Sequence, residues 1–370
     1  MEIIGIICEF NPLHNGHVYY IDKIKELYPD SLIICVLNGY FMERGEISIM
    51  SKEDKTKCAL NHNVDIVVEL PFVYGSQAAD IFAYNSVKLL NEMYVDRIIF
   101  GSESNNIQLL ERVANIQLDD PTYIERVKEY LALGVNYPTA MAKALDIKED
   151  ISNPNDLLGI SYIKAIKQIN KRIKYESIKR TNNYHDIEID NNIVSGSNIR
   201  VRLSNDEEID KYVPLDVKDK IVKINEDKLF TLLKFKILTD KDLSIYLDVD
   251  EGIEYRIIRN INDARTLDEL IESIKTKRYT YNKINRMLVH ILIGLTKVDN
   301  DNNELDYLKI LGFNSKGQEY LNKIKKSMNL GLNKDSIIYK YELITSNIYK
   351  QITGIDSYSF DSSNKPILKD

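Results

Sequence analysis

Apolar runs alternate with helical periodicities along the first half of this chain. Residues 3–8, Ile-Ile-Gly-Ile-Ile-Cys, predict a buried strand that Asn11-Pro12 ends, and residues 18–27 carry apolar side chains at helical spacing. Residues 32–37 predict a second buried strand, closed by Asn38-Gly39. Ser51 is placed to cap a helix with Glu53 and Asp54 in its first turn. A third strand follows over 64–70, a helix over 76–93, a fourth strand over 97–100 before Gly101, and inserted helices over 108–145. Residues 173–180 partly alternate and predict a fifth strand. Strands separated by helices predict right-handed βαβ units and a parallel sheet. After Arg202 the strand signals fade. Val213-Pro214-Leu215 reads as a hinge, and helical spacing over 218–238, 263–275, 281–295 and 315–328 predicts a mostly helical remainder. The expected division is residues 1–205 as an α/β domain and 215–370 as a helical one.

The first strand ends in the chain's densest chemistry, His14-Asn15-Gly16-His17. The tetrad falls where ligands bind in open α/β sheets, over a helix N-terminus that favours phosphate. A triphosphate attacked at its α-phosphate needs donors and positive charge as pyrophosphate leaves, and imidazoles supply both near neutral pH. Gly16, without a side chain, lets triphosphate or base approach the backbone. The plain alternative is a pair of turn histidines with no task. A second cluster, Ser195-Gly196-Ser197-Asn198-Ile199-Arg200, follows the apolar pair Ile193-Val194. Folded as a loop entering a helix, it offers amides, hydroxyls and the fixed charge of Arg200 to the β- and γ-phosphates. Its alternative is a serine-rich helix cap.

The H-x-G-H tetrad resembles that of the nucleotidyltransferase superfamily, which includes adenylyltransferases and class I aminoacyl-tRNA synthetases. More narrowly, Glu9-Phe10-Asn11-Pro12-Leu13-His14-Asn15-Gly16-His17 is similar to the bacterial tRNA(Met) cytidine acetate ligase family. Glu43-Arg44-Gly45-Glu46, Glu69-Leu70-Pro71-Phe72, Phe100-Gly101-Ser102-Glu103, Asn153-Pro154-Asn155-Asp156-Leu157-Leu158, Lys179-Arg180 before Tyr184-His185-Asp186, Ser195 to Arg200, and Lys275-Thr276-Lys277-Arg278-Tyr279-Thr280 agree with it in order. The family usually has Asn-Asn where this chain has Asn155-Asp156. The resemblance implies a Rossmann-like, HUP-type nucleotidyltransferase domain followed by the helical one. It implies an enzyme that activates acetate with ATP, accompanied by Mg²⁺, as acetyl-adenylate. The acetyl group then passes to the wobble cytidine of elongator tRNA(Met), giving N4-acetylcytidine.

The resemblance assigns His14, His17 and Arg200 to catalysis. It assigns the nucleotide to Ile7, Cys8, Glu9, Phe10, Asn11, Pro12, Leu13, His14, Asn15, Gly16, His17, Val18, Tyr19 and Tyr20, with Gly101, Asn155, Arg180, Ser195 and Ser197. Asp65, Glu69 and His185-Asp186 are candidates for support. No residue reads as an acetate pocket, and the histidines and cysteines show no zinc-like spacing, so no metal site is expected. Two other readings share both motifs: a small-molecule adenylyltransferase, and a non-catalytic tRNA- or nucleotide-binding protein.

Charge bears on the acceptor. The net charge of -7 argues against nucleic acid on average, but the distribution is uneven. Lys164, Lys167, Lys171, Arg172, Lys174, Lys179 and Arg180 are offset only by Glu176. Lys275, Lys277, Arg278, Lys283 and Arg286 are interleaved with Tyr279 and Tyr281. Clustered cations bind phosphates and aromatics stack on unpaired bases, so Lys275, Lys277, Arg278 and Tyr279 are expected to contact RNA. A solvated helix face is the plain alternative. No apolar stretch approaches the ~20 residues of a membrane span, and the short first run has no basic leader. The odd set Cys8, Cys35 and Cys58, without a CxxC pair, fits reduced buried thiols in a cytoplasmic protein.

Overall fold

The computed structural model describes all residues except 136, 181–191, 277, 328–332 and 370. Lys277, His185 and Asp186 therefore lie outside the described residues. Seven strands form one sheet in the order β5-β4-β1-β2-β3-β6-β7. They are β1 (Ile3–Cys8), β2 (Leu32–Asn38), β3 (Ile66–Leu70), β4 (Arg97–Ser102), β5 (Lys174–Lys179), β6 (Ile310–Asn314) and β7 (Ile367–Lys369). The first five are parallel, in register from Ile3 opposite Leu32 and Ile34 opposite Ile66. β1 to β3 are runs of buried apolar side chains, as central strands covered on both faces must be.

The helices that flank this sheet are α1 (Asn15–Leu27), α2 (Lys52–Asn61), α3 (Phe72–Gly75), α4 (Ala79–Glu92), α5 (Ile107–Asp119), α6 (Tyr123–Ala132), α7 (Tyr137–Ala144), α8 (Pro154–Ile169) and α9 (Gly196–Ser204). Strand alternation divides the core in two. Ile4, Ile6, Cys8, Ile33, Cys35 and Leu37 pack on one face, with Ile21 and Ile24 of α1 and Cys58 of α2. Ile3, Leu32, Ile34 and Val36 pack on the other, with Phe82, Val87 and Leu90 of α4 and Ile163 of α8. Gly159 lets α8 lie close on β4, because a Cβ there would come within 2.5 Å of the Phe100 ring. The chain runs β1-β2-β3 in one direction and β4-β5 in the other. Strand order therefore reverses beside β1, and the crevice at the carboxyl ends of β1 and β4 is the switch point where such sheets bind ligands.

Further helices follow: α10 (Leu215–Lys218), α11 (Glu226–Thr239), α12 (Ile253–Asn260), α13 (Leu267–Ile274), α14 (Tyr281–Ile293), α15 (Lys297–Asn302), α16 (Ser315–Ile324), α17 (Ile337–Thr353) and α18 (Ser357–Ser363). The sequence pattern placed a helix over 218–238, whereas α11 starts only at Glu226, capped by the Asn225 side chain. Pro214 stands at the start of the four-residue α10, whose Val217 is buried in the core beneath α1 and α2.

The larger departure is in the sheet. β6 and β7 come from the part of the chain expected to be mostly helical, outside the segments that showed helical spacing, and β6 pairs antiparallel with β3. Both are short, and Gly312 interrupts the apolar run of β6. A Cβ at Gly312 would meet Thr56 at 2.8 Å and the Ile367 carbonyl at 3.0 Å, so a glycine allows α2 and β7 to close on this strand. No helix among the described residues is long and apolar enough to cross a membrane.

Candidate active site

β1 ends at Cys8, and the chain turns through Phe10, which has a positive φ of 47°, into α1. Asn11 fixes the turn, its Oδ1 accepting from the Ile49 amide at 2.9 Å. His14 is the N-cap of α1. Its Nδ1 accepts from the Gly16 amide at 3.1 Å, while His17 Nδ1 accepts from the His14 amide at 3.2 Å. The two imidazoles thus form a reciprocal capping box, a task more often done by a hydroxyl and a carboxylate. Their rings stack at 3.8 Å between centroids, and the edge of Phe10 packs on His17.

This arrangement sets the protonation. Burial, aided by His17, Arg180 and Arg200, holds His14 well below the ordinary imidazole range. Burial and Arg180 bring His17 down to about 3. Both rings are neutral, and both Nδ1 atoms accept, so each ring carries its one proton on Nε2. Neither Nε2 has a partner among the described residues. The site therefore presents two N–H donors at the switch point, above the N-terminus of α1.

The structure shows a further reason for Gly16 beside the expected one. A Cβ there would lie 2.9 and 3.0 Å from His14 Cε1 and Nδ1, and 3.2 Å from Ile193. The missing side chain makes room for the His14 imidazole folded back on the helix.

Across the crevice, Ser195 caps α9, accepting from the Asn198 amide at 3.2 Å. Arg200 donates to the Asn11 carbonyl at 2.7 Å and to Ser197 Oγ at 3.2 Å, and it pairs with Glu46. Gly196 sits against this group, where a Cβ would come within 3.1 Å of the Asn11 carbonyl oxygen. Gly101 at the end of β4 lies beneath Arg180, whose Cγ is 3.4 Å from the position of a Cβ. Asn155 Nδ2 donates to Glu103 at 2.6 Å, and the Asp156 amide donates to the same carboxylate at 3.0 Å, so Glu103 caps α8. Asp156 is buried and accepts from Ser102 and from the Ser104 amide at 3.1 Å. An acid at this position thus ties α8 to the end of β4.

Ile7, Cys8, Glu9, Phe10, Asn11, Pro12, His14, Gly16, His17, Tyr19, Tyr20, Gly101, Asn155, Arg180, Ser195, Ser197 and Arg200 all line one pocket. Leu13, Asn15 and Val18 do not. Leu13 is wholly buried, Asn15 Nδ2 donates to the Asn192 and Lys211 carbonyls at 3.1 and 2.9 Å, and Val18 packs on the core. Cys8 is a buried free thiol beside the buried thiol of Cys35, in keeping with a strand-end core residue.

A family profile described as HIGH nucleotidyl transferase matches residues 1–361. A tRNA(Met) cytidine acetate ligase of Fusobacterium nucleatum is 38% identical over 345 residues, covering 89% of this chain and 86% of the relative. One from Clostridium tetani is 34% identical, with both chains covered end to end at 100%. This chain belongs to that family. Its fold is shared with Thermotoga maritima TmcAL in the apo form, at 27% identity and a TM-score of 0.88 over 100% of this chain and 99% of that one. The same protein bound with alpha-thio ATP superposes with a TM-score of 0.86 at 26% identity, over 100% and 99% of the two chains.

The tetrad Glu43-Arg44-Gly45-Glu46 matched the family in sequence without a role being visible. In the fold it forms a pocket wall and touches the helical region. Gly45 has φ 78°, and a Cβ there would lie 2.7 Å from the Arg286 amide nitrogen. Asn285 Nδ2 donates to the Arg44 carbonyl at 2.9 Å, and Arg286 Nη1 stands 3.5 Å from Glu43. Nothing in the sequence showed that α14 would seat on this turn.

The expected RNA contacts divide. Lys275 and Arg278 are exposed, paired with Glu272 at 3.1 Å and Glu251 at 3.2 Å. Tyr279 is only 4% exposed, and its hydroxyl donates to the Asp250 carbonyl at 2.6 Å. A buried ring cannot stack on an unpaired base, so that part of the expectation is corrected: Tyr279 anchors the segment and leaves the cations outside.

Proposed function

We infer that this protein is an ATP-dependent ligase that joins acetate to the wobble cytidine of elongator tRNA(Met). The observation that carries the reading is the pair of Nε2–H donors on His14 and His17, opposite Arg200 and the α9 N-terminus, in a chain related end to end to such ligases. Acetate attacks the α-phosphate of ATP, and pyrophosphate leaves. Charge grows on the bridging and terminal oxygens during that step, where the two imidazole N–H groups and Arg200 are aimed. The neutral rings cost no buried charge before ATP enters. With Nδ1 held as an acceptor by a backbone amide, each ring meets the triphosphate as a neutral Nε2–H donor, and Arg200 supplies the fixed positive charge. The cytidine N4 then attacks the acetyl carbonyl and AMP leaves.

Mg²⁺ comes with the nucleotide in this reading, held by phosphate oxygens. Among the described residues the one set of carboxylates close enough to share an ion is Glu69, Glu342 and Asp361, and Lys52 Nζ fills the space between them. Lys275 and Arg278 supply phosphate contacts for the tRNA, and the reaction takes place in the cytoplasm with its tRNA pool.

The test is incubation of the purified chain with ATP, labelled acetate and tRNA(Met), followed by nucleoside mass spectrometry. N4-acetylcytidine and stoichiometric AMP and pyrophosphate are expected. Pyrophosphate exchange that requires a phosphate ester in place of acetate would instead mark a small-molecule adenylyltransferase. tRNA binding without AMP release, retained in His14→Ala and His17→Ala, would mark a binding protein.

A further inference from the structure

Acetyl transfer to an exocyclic aromatic amine needs somewhere to put a proton. The cytidine N4 lone pair is delocalised into the ring, and the nitrogen becomes acidic as it bonds to the acetyl carbon, so a base within hydrogen-bond reach assists the attack. Among the described residues three acidic side chains line the pocket: Glu9, Glu43 and Glu46. Two are engaged. Glu9 Oε1 accepts from Asn38 Nδ2 at 2.8 Å and from the Glu43 amide at 2.7 Å. Glu46 is the counter-ion of Arg200. Among the described residues the Glu43 carboxylate meets two guanidinium groups at longer range, Arg286 Nη1 at 3.5 Å and Arg44 Nε at 3.7 Å. Among the described residues no donor hydrogen-bonds it.

Its position fits the order of events. The adenylate forms inside the pocket, whereas the cytidine arrives from outside on a bulky polyanion. The loop 43–46 belongs to both places, as a pocket wall and as the seat of α14, which follows the exposed cations Lys275 and Arg278. We propose that Glu43 is the general base of the second half-reaction, taking the proton from the cytidine N4 as that nitrogen attacks the acetyl carbon. This assignment rests on the acetyl-transfer reading above. The N–C bond forms, and the N4 proton passes to the Glu43 carboxylate. The acetyl C–O bond to phosphate breaks with its electron pair leaving on AMP, and Glu43 later gives the proton to water.

The surroundings tune the group for this task. Burial raises its carboxyl, Arg286 of α14 and Arg44 lower it, and Glu9 and Glu46 raise it, the outcome being about 7. Tyr162 of α8 also lies within its field. A base poised there is half unprotonated at neutral pH and still basic enough to accept.

Single-turnover transfer from enzyme-bound acetyl-adenylate to tRNA, followed from pH 5.5 to 8.5, tests the proposal. The wild-type rate should rise with pH and level off above about 7. Glu43→Gln should transfer at least ~10-fold, and towards ~100-fold, more slowly with no break near 7. Its loss in transfer should exceed any loss in acetate-dependent pyrophosphate exchange by ~10-fold. Glu43→Asp should keep the break at a reduced rate. The proposal is overturned if Glu43→Gln loses less than ~10-fold, if it keeps the pH break, or if exchange and transfer fall equally, which would make Glu43 a prop for the pocket. Wild-type protein that exchanges pyrophosphate with acetate but acetylates no tRNA overturns the acceptor reading itself, a failure visible without any variant.

Discussion

Gly16→Ala asks whether the H-x-G-H glycine serves the nucleotide or the histidine. The added Cβ would sit 2.9 Å from His14 Cε1 and 3.0 Å from Nδ1, both inside contact distance, with Ile193 at 3.2 Å on another side. The added methyl cannot yield, because it is fixed to the first turn of α1, so the imidazole must rotate away. That breaks the 3.1 Å bond from the Gly16 amide to His14 Nδ1 and with it half of the capping box. A lost N-cap costs about 0.5–2 kcal/mol. The rotated ring also carries its Nε2–H away from the triphosphate. Misplacing one aligned donor costs about 10²–10³ in kcat. Acetate-dependent pyrophosphate exchange should therefore show a kcat loss of the same order as His14→Ala, with a small change in the KM for ATP, and a melting temperature lower by a few degrees. A raised KM with kcat unchanged would show that the glycine makes room for nucleotide, and would refute the argument from His14.

Lys52→Met should cost about 3–5 kcal/mol in denaturant unfolding, since it leaves Glu69, Glu342 and Asp361 buried together against Lys309 alone; a loss under ~1 kcal/mol would mean that the carboxylates are already neutral. His17 has its pKa lowered from 6.5 to about 3 and His14 is lowered as well, so the unfolded chain binds more protons between those limits. The ligand-free protein should lose stability as pH falls below about 6.5, by about 1.4 kcal/mol per pH unit for each ring, and a His14→Asn/His17→Asn double variant should show a shallower slope. Tyr279→Ala should lower thermal stability, whereas Lys275→Ala and Arg278→Ala should leave the fold intact, weaken tRNA binding and reduce its salt slope by about one each. Equal salt slopes in wild type and both cation variants would remove that surface from the tRNA interface.

The first four strands were legible because each centres on an apolar run closed by Gly, Pro or Asn, a pattern set by burial on both faces, whereas β5 showed only the partial alternation of a half-exposed edge strand. Ser51 and Ser195 were legible as caps for the same local reason, since a cap and its helix lie within four residues. Tyr279 and Glu46 were not. Tyr279 reads as an aromatic among cations, and only the distant Asp250 carbonyl makes it a buried anchor. Glu46 reads as a loop acid, and only the fold brings Arg200 to it across 154 residues. β6 failed for another reason. Five residues broken by a glycine carry too little periodicity to separate strand from helix, and the pairing partner β3 lies more than two hundred residues upstream.

The chain closes back on its first half through apolar packing, such as Tyr40 against Tyr349, and through a buried group of charges. Lys52 opens α2 and is wholly buried. It donates to Glu342 on α17 at 2.7 Å and to Asp361 on α18 at 2.9 Å, and it pairs with Glu69 on β3. Lys309, just before β6, reaches the same Asp361 at 2.6 Å, and Tyr40 donates to it at 2.7 Å. Such a group is a weak source of net stability but a strong selector of geometry, because any other docking of the last segment would strand several charges without partners. The effect reaches the pocket through short links. Gly39 packs on Lys52. Asn38, beside it, holds Gly75 and Glu9, and Glu9 holds the Glu43 amide. The loop that carries Glu43 and the counter-ion of Arg200 is thus braced from beneath by the clasp and from outside by α14. A ligase that must form an adenylate in one place and deliver it to a large acceptor from another gains from this double bracing. The wall shared by the two half-reactions is held by both parts of the chain at once.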